Sequence, residues 1–393
     1  MKRTSVLISN LMKASVEGQQ RISAEVDGEL LWFDFPNHIE VEARGELFIA
    51  ASLLEAMISN LPIKLDDNIP VSPTLLQSLD ELQDIYICWN SDLSKVEVQV
   101  SNIQAPINLS QGVGSFYSGG VDSSYTFCKH QEEITHLITL AGFDTISKQD
   151  QWSNLVEKKQ TFANEFNIDS IIINNNLRQF SNSRKISFLF QHGLTLAGIG
   201  ISLGFEKVYI PSSFTYTDMF PWGSHPCTDP LWSIENRRLV HDGAEVSRSD
   251  KIVFISSNQF VLDNIQVCWN NIAHNCDTCS KCLRTRAALH IYQLTSKSLQ
   301  HLSDINELKS LTLTSQAVLP FIQDLSCHAR EKNLPELSKV FSVMIRKYLL
   351  KYHFEGFVKA LFGNGLKKLV HKFRKTEWKK YRVTMEGHKR DNE

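Results

Sequence analysis

The stretch Ser118-Gly119-Gly120-Val121-Asp122-Ser123 decides the fold expected for this chain. It follows the apolar run 113–117, which predicts a strand, and it precedes residues 124–128, which predict the first turns of a helix. Glycines allow a turn with positive φ, and a helix N-terminus offers backbone N–H groups to an anion. Serine hydroxyls can bind phosphate oxygens, and Asp122 can hold Mg²⁺ or cap the helix. We therefore predict a nucleotide site; an ordinary strand-to-helix turn is the alternative.

This glycine pair is not the common P-loop, because the chain contains no GxxxxGK[ST]. The stretch resembles instead the PP-loop of the ATP pyrophosphatases. That resemblance implies cleavage of ATP to AMP and pyrophosphate, with AMP transferred to a substrate oxygen. It also implies that the loop binds ATP and Mg²⁺ through Ser118, Gly119, Gly120, Val121, Asp122 and Ser123. Among these residues, Asp122 and Ser123 are expected to take part in catalysis.

From residue 112 onward, strand and helix patterns alternate, which predicts an α/β fold with a parallel, HUP-like sheet. The predicted strands are 113–117, 134–140, 170–174 and 207–211, and the predicted helices are 121–130, 151–166 and 183–203. Ligands of such sheets bind beyond the carboxyl ends of the strands. We therefore expect the adenine to lie near Leu140, Ala141 and Gly142.

The segment from Phe214 to Arg248 is rich in Pro, Gly, Trp, His and Asp, a composition typical of functional loops. Arginine side chains can bind phosphate through paired hydrogen bonds. Among the arginines of this segment, Arg248 is the first choice for a catalytic role, ahead of Arg237 and Arg238. His225 and His241 are candidate acid–base groups or structural histidines.

Four cysteines, Cys268, Cys276, Cys279 and Cys282, form the second strong pattern. Four thiolates at these spacings can close a tetrahedral Zn²⁺ site, with Cys268 expected on a preceding strand. Such a closed site leaves no position for water, so the metal is expected to be structural. An iron–sulfur cluster, which also uses four cysteines, is the alternative.

Together, the loop and the cysteine knuckle resemble 7-cyano-7-deazaguanine synthase and its relatives over residues 112–294. Those enzymes adenylate a deazaguanine carboxylate, which ammonia then attacks. This chain has an additional region before Val113, and its segment 222–248 matches the synthases' substrate-binding segments poorly. We therefore expect adenylation of a different acceptor, such as a deazapurine, a protein terminus, a tRNA or a metabolite. A tRNA-thiolating enzyme using Cys227 and a non-catalytic nucleotide-binding protein are the alternatives.

The remaining residues predict two flanking regions. Residues 1–108 predict an α+β domain with a hairpin at Asp27-Gly28, a helix over 47–61, and strands over 84–88 and 96–100 joined across 90–92. This domain could bind a protein partner. Residues 109–298 would form the ATPase domain. Residues 299–393 predict helices over 305–311, 316–327, 337–352 and 357–361, followed by a basic run over 367–382 that could bind nucleic acid or an anionic surface.

Composition limits the class of protein. The chain has 393 residues, of which 42% are hydrophobic and 21% charged, so it can bury full cores. Its net charge of −2 gives no general affinity for nucleic acid. No apolar run reaches the length of a membrane span, and eight cysteines without a disulfide pattern fit a cytoplasmic location.

Overall fold

The computed structural model describes residues 3–108, 112–141, 149–268, 270–271 and 273–362. It divides into two compact units, the first ending at Val246 and the second beginning at Ser247. The boundary expected at 108 falls inside the first unit and the one expected at 298 inside the second. Within the described ranges, no helix is both long and apolar enough to cross a membrane.

The first unit is an α/β structure built on a large, mostly parallel sheet. Its strands are β1 (Val6–Val16), β2 (Gln19–Val26), β3 (Glu29–Pro36), β4 (Ile63–Leu65), β5 (Pro70–Val71), β6 (Val98–Gln99), β7 (Asn102–Ile103), β8 (Val113–Phe116), β9 (His136–Leu140), β10 (Asp169–Asn175), β11 (Lys207–Pro211) and β12 (Arg238–Asp242). Its helices are α1 (Glu46–Ser59), α2 (Pro73–Trp89), α3 (Val121–Lys129), α4 (Gln149–Glu165), α5 (Leu177–Ser183) and α6 (Phe188–Ser202). Two 3₁₀ turns cover Tyr216–Asp218 and Asp229–Trp232.

Ten of these described strands form one sheet in the order β12-β11-β8-β9-β10-β3-β2-β1-β4-β6. The strands from β12 to β10 are parallel, whereas β10, β3, β2 and β1 pair in antiparallel fashion. The predicted parallel sheet is therefore confirmed, with strand bounds within two residues of those expected. The sequence pattern did not predict β12, which extends the parallel part by one strand.

The antiparallel part begins with the expected hairpin. Val26 pairs with Glu29 across Asp27 and Gly28, whose φ values are 51° and 79°. Positive φ at both turn positions is the geometry that a two-residue hairpin requires, and Asp-Gly tolerates it. The helix expected over 47–61 is also confirmed as α1.

The strand expected over 84–88 is wrong, because these residues form the end of α2. Ser72 caps that helix by accepting a hydrogen bond from the Leu75 N–H at 3.1 Å, and Pro73 occupies its first position. Both residues are helix-start signals. Apolar and polar residues alternate over a short stretch near the end of the helix, which suggests a strand. The buried residues of the whole helix have helical spacing instead: Leu75, Leu79, Leu82, Gln83 and Tyr86. The expected hairpin across 90–92 is absent for the same reason.

A continuous sheet joins the N-terminal strands to the parallel ones. Asn174 and Asn175 of β10 pair with Asp34 and Phe33 of β3. Helix α1 packs on α6, where Gly198 lets the helices approach closely: a Cβ there would lie 3.0 Å from the Ala50 methyl carbon. Strand pairing and helix packing thus extend one core across both regions.

The second unit is helical. It contains α7 (Arg248–Ile255), α8 (Gln259–Asp263), α9 (Ser280–Ile291), α10 (Leu319–Glu331) and α11 (Pro335–Phe362), with 3₁₀ segments at Ile305–Ser310 and Gln316–Val318. The two helices expected over 337–352 and 357–361 are one helix, α11. The strand expected before the cysteine knuckle is not found, since Cys268 lies outside the described strands. The basic run 367–382 lies outside the described residues.

Candidate functional site

The predicted phosphate loop lies between β8 and α3, as the sequence indicates. Gly119 has φ +77°, a left-handed conformation that glycine adopts without strain. Gly120 is the N-cap of α3, and residues 121–123 form its first turn, whose N–H groups have no acceptor within the helix. The turn therefore presents backbone donors at the positive end of a nine-residue helix.

Hydrogen bonds among its own residues fix the shape of this loop. The Ser118 Oγ accepts from the Gly120 N–H at 3.2 Å and lies 3.2 Å from the Ser123 Oγ. Ser123 in turn donates to the Gly120 carbonyl at 3.1 Å. Ser118 is exposed, Asp122 is half-buried and Ser123 is buried. The loop is thus preorganised, with its first serine open to solvent.

A buried lysine that sequence analysis missed supports the loop from α4. The Lys159 Nζ donates to the Ser118 carbonyl at 2.7 Å and lies 4.8 Å from the centre of the Tyr117 ring. Lys159 is 5% exposed, and burial, followed by the charge of Lys158, lowers its pKa to about 7. A signal did exist: position 159 lies on the apolar stripe of α4, three residues before Phe162.

The order of the strands places this loop where open α/β sheets bind ligands. From β8 the chain proceeds to β9 and β10 on one side, whereas β11 and β12 add on the other side. The order of the strands therefore reverses next to β8, and ligands bind outside the carboxyl ends at such a point. Leu140 ends β9 at the same edge, and the Ala141 N–H donates to the Ile173 carbonyl at 2.8 Å. Gly142 lies outside the described residues.

The segment 214–242 brings an aspartate and a histidine together at the same edge. The His241 Nδ1 lies 2.7 Å from the Asp229 Oδ2, and the Ser224 hydroxyl donates to the same oxygen at 2.6 Å. His225 contacts this aspartate through its backbone N–H at 3.1 Å. Its own Nδ1 accepts from the Cys227 N–H, and burial lowers its pKa. The sequence indicates both histidines as candidates, whereas nothing in its pattern singles out Asp229.

The three arginine candidates occupy different environments. Arg237 is 1% exposed and donates to Glu42 at 2.7 Å and to the Ile201 carbonyl at 2.6 Å, so its contacts are structural. Arg238 is exposed at the amino end of β12, away from the carboxyl edge. Arg248 belongs to the second unit, where it begins α7 and lies 5.8 Å from the Phe321 ring. Its catalytic role stays a prediction.

The four predicted metal ligands converge in the second unit. The sulfur atoms of Cys268, Cys276, Cys279 and Cys282 all lie within 4.8 Å of one another, and none forms a disulfide. Cys279 lies 3.5 Å from Cys282 and 3.9 Å from Cys268. Tetrahedral thiolates about 2.3 Å from one zinc ion would stand about 3.8 Å apart. The four thiolates are therefore close enough to hold one metal ion such as zinc.

Backbone N–H groups donate to two of the four sulfur atoms. The Cys276 sulfur accepts from the Cys279 N–H at 3.3 Å, and the Cys268 sulfur accepts from the Asn270 N–H at 3.3 Å. Burial opposes ionisation of Cys276, but the donors from Thr278 and Cys279 outweigh it and lower its pKa to about 6. Burial raises the pKa of the Cys282 thiol, which would ionise on binding a cation. The donor set and the geometry of the cluster are therefore those of a group that could hold a metal ion.

No protein-family model, no curated protein and no solved structure matches the chain. The interpretation of the site therefore depends on its geometry.

Proposed function

We propose that this protein is an ATP-dependent adenylating enzyme of the PP-loop type. The observation that carries the proposal is the position of the Ser118–Ser123 loop, at the carboxyl end of β8 where the strand order reverses. The expected substrate is a carboxylate or a related oxygen, and the expected nucleophile is a nitrogen.

The loop explains how pyrophosphate would leave. Charge grows on the β-phosphate as the bond to the α-phosphate breaks, and donors fixed in advance stabilise that charge without reorganisation. The backbone N–H of Gly119, the first turn of α3 and the Ser118 hydroxyl would supply such donors. Asp122 would bind Mg²⁺, which neutralises phosphate charge when bound. Lys159 holds the Ser118 carbonyl and therefore keeps the loop in its shape.

The cysteine cluster has a structural role in this proposal. Its thiolates would hold zinc, and the closed set leaves no open position for substrate or water. Metal binding would then contribute to the folding energy of the second unit.

The test is the identity of the nucleotide product. Wild-type protein would be incubated with MgATP, ammonium and a panel of carboxylates that includes the deazaguanine carboxylate used by the synthases. AMP and pyrophosphate are expected, whereas production of ADP and phosphate alone would refute the proposal. Asp122→Asn should abolish AMP formation without lowering the melting temperature. Asp80→Asn is the matched control, because the Asp80 side chain is 80% exposed in α2.

One observation favours a second candidate, a tRNA-thiolating enzyme. Cys227 is exposed in the segment that also carries Asp229, and an exposed thiol there could transfer sulfur. Cys128 is a poor nucleophile by comparison, because burial raises the pKa of its thiol to about 12. Full activity of Cys227→Ser would exclude sulfur transfer by that residue.

A further inference from the structure

The Asp229–His241 pair has the geometry of an acid–base dyad. Its side chains are 2% and 3% exposed, and the Oδ2–Nδ1 distance is 2.7 Å. Asp229 also accepts from the Ser224 hydroxyl and the His225 N–H. The Asp229 carboxylate is therefore held by polar contacts on both of its oxygens.

The contact with Asp229 determines which nitrogen of His241 carries the proton, because a carboxylate oxygen accepts hydrogen bonds. The Nδ1 must donate to the carboxylate, which leaves the lone pair of a neutral imidazole on Nε2. That Nε2 is buried and has no hydrogen-bond partner among the described residues. Buried polar atoms of folded proteins are rarely left unpaired without a reason, and a ligand donor at this position would supply one.

The dyad lies at the same edge of the sheet as the phosphate loop. Ser115 of β8 pairs with Tyr209 of β11, which pairs with Val240 of β12. His241 follows Val240 in β12. It lies two strands away from β8, which corresponds to about 10 Å at the usual spacing of neighbouring strands. The Asp242 side chain binds Thr126 of α3, so His241 projects from the opposite, α6 side of the sheet.

Close packing against α6 fixes the segment that supplies Ser224 and Asp229. A Cβ on Gly193 of α6 would lie 1.6 Å from the Gly223 carbonyl oxygen. The Gly223 N–H also donates to the Leu189 carbonyl at 3.0 Å. The dyad is therefore held by rigid elements, as a preorganised catalytic group must be.

We propose that His241 is the general base of the acyl-transfer step and that Asp229 is its positioning residue. This inference rests on the proposed function. The nucleophile nitrogen forms a bond to the acyl carbon, and its proton passes to the His241 Nε2. The bond from that carbon to the AMP oxygen breaks, and its electron pair leaves with AMP. Asp229 stabilises the imidazolium that forms.

The first experiment needs no substrate. ¹⁵N NMR of histidine-labelled protein at pH 7 should show His241 with a protonated Nδ1 and an unprotonated Nε2, the signals being assigned by their loss in His241→Gln. Asp229→Asn should change this tautomer, because its amide can donate to Nδ1. A protonated Nε2 in the wild type would overturn the proposal.

The second experiment separates the two half-reactions. His241→Gln should keep ATP–pyrophosphate exchange but lose at least about 100-fold in transfer to ammonium, the lower range for general bases. Hydroxylamine, which is neutral at pH 7, should still trap the adenylate. His38→Gln is the control, since the His38 side chain is 54% exposed and lies away from the dyad segment.

The outcomes distinguish the two proposals. Normal exchange with normal transfer to ammonium in His241→Gln would overturn the role of His241 and leave the proposed function intact. A wild type that forms no AMP with the carboxylate panel would overturn the proposed function and this role with it. If His241→Gln does not fold, Asp229→Asn takes its place and should show the same separation of exchange from transfer.

Discussion

Replacing Lys159 with methionine removes a buried ammonium while keeping a side chain of similar length. The pKa of Lys159 in the folded protein is about 7, against 10.5 in the unfolded chain. Between these values the unfolded state binds more protons, so the wild type gains stability as the pH rises from about 7 to about 10.5. Below pH 7, burial of the charge costs about 4–5 kcal/mol, at 1.36 kcal/mol per pKa unit.

The substitution also loses a hydrogen bond. The folded pKa of about 7 already includes what the charged form gains from its contacts, so the additional loss is the hydrogen bond of the neutral amine to the Ser118 carbonyl, about 0.5–1.5 kcal/mol. At pH 6.5 the relief of burial exceeds this loss, and Lys159→Met should be about 3–4 kcal/mol more stable than the wild type. At pH 9.5 the cost of burial is lower by about 3 kcal/mol, so the variant should lose most of this advantage.

The assay is urea unfolding at both pH values, followed by tryptophan fluorescence. Five of the seven tryptophans lie in the first unit, so the signal reports mainly on the unit that contains Lys159. Lys64→Met, at an exposed position of β4, is the control, and its stability difference from the wild type should be the same at both pH values. A variant that is less stable than the wild type by the same amount at both pH values would refute the reasoning, because it would mean that Lys159 keeps an ordinary pKa.

Three further predictions follow from the same structure. Cys279→Ser should lower zinc content and melting temperature together, with loss of activity following loss of structure, and a well-folded, zinc-free, fully active variant would contradict a structural metal. Gly193→Ala should destabilise the first unit by about 1–3 kcal/mol in urea unfolding, because its Cβ meets the Gly223 backbone. Gly200→Ala, which meets a leucine methyl group at 2.8 Å, should cost less, and equal losses would refute the steric argument. ATP binding should take up protons near pH 7, since phosphate raises the pKa of Lys159, and calorimetry in buffers of different ionisation enthalpy would measure this uptake.

The sequence predicted those parts of the fold in which local and tertiary signals agree. The parallel strands have apolar runs bounded by turn residues, and their observed bounds lie close to the expected ones. The cysteine cluster was also predictable, because ligands of one metal ion recur at short, characteristic separations along the sequence. The end of α2 was misread because residues 84–88 alternate locally. Its helical stripe becomes evident only when the apolar positions are followed back to the Ser72 cap.

The dyad and the buried lysine could not be predicted in the same way. His241 was recognised as a candidate, but Asp229 lies twelve residues earlier on a 3₁₀ turn, and only the pairing of β12 with β11 brings the two together. Lys159 reads as one of two adjacent lysines on a helix. Its role depends on the neighbouring strand, whose loop offers the Ser118 carbonyl. Contacts of this kind are set by tertiary structure: the apolar stripe of α4 indicates that Lys159 is buried, but not which group it contacts.

The N-terminal strands also affect how the candidate site is built. Strand β10 would be an edge of the parallel sheet if β3 did not pair with it, and an unpaired edge exposes backbone groups that invite aggregation. The Asn176 side chain reinforces this junction, because its oxygen accepts from the Trp32 N–H at 2.9 Å and its amide donates to the Leu30 carbonyl at 2.8 Å. On the other face, α1 covers α6, the helix against which the Asp229 segment packs. The N-terminal residues therefore support the sheet edge and the helix on which the proposed acid–base dyad depends.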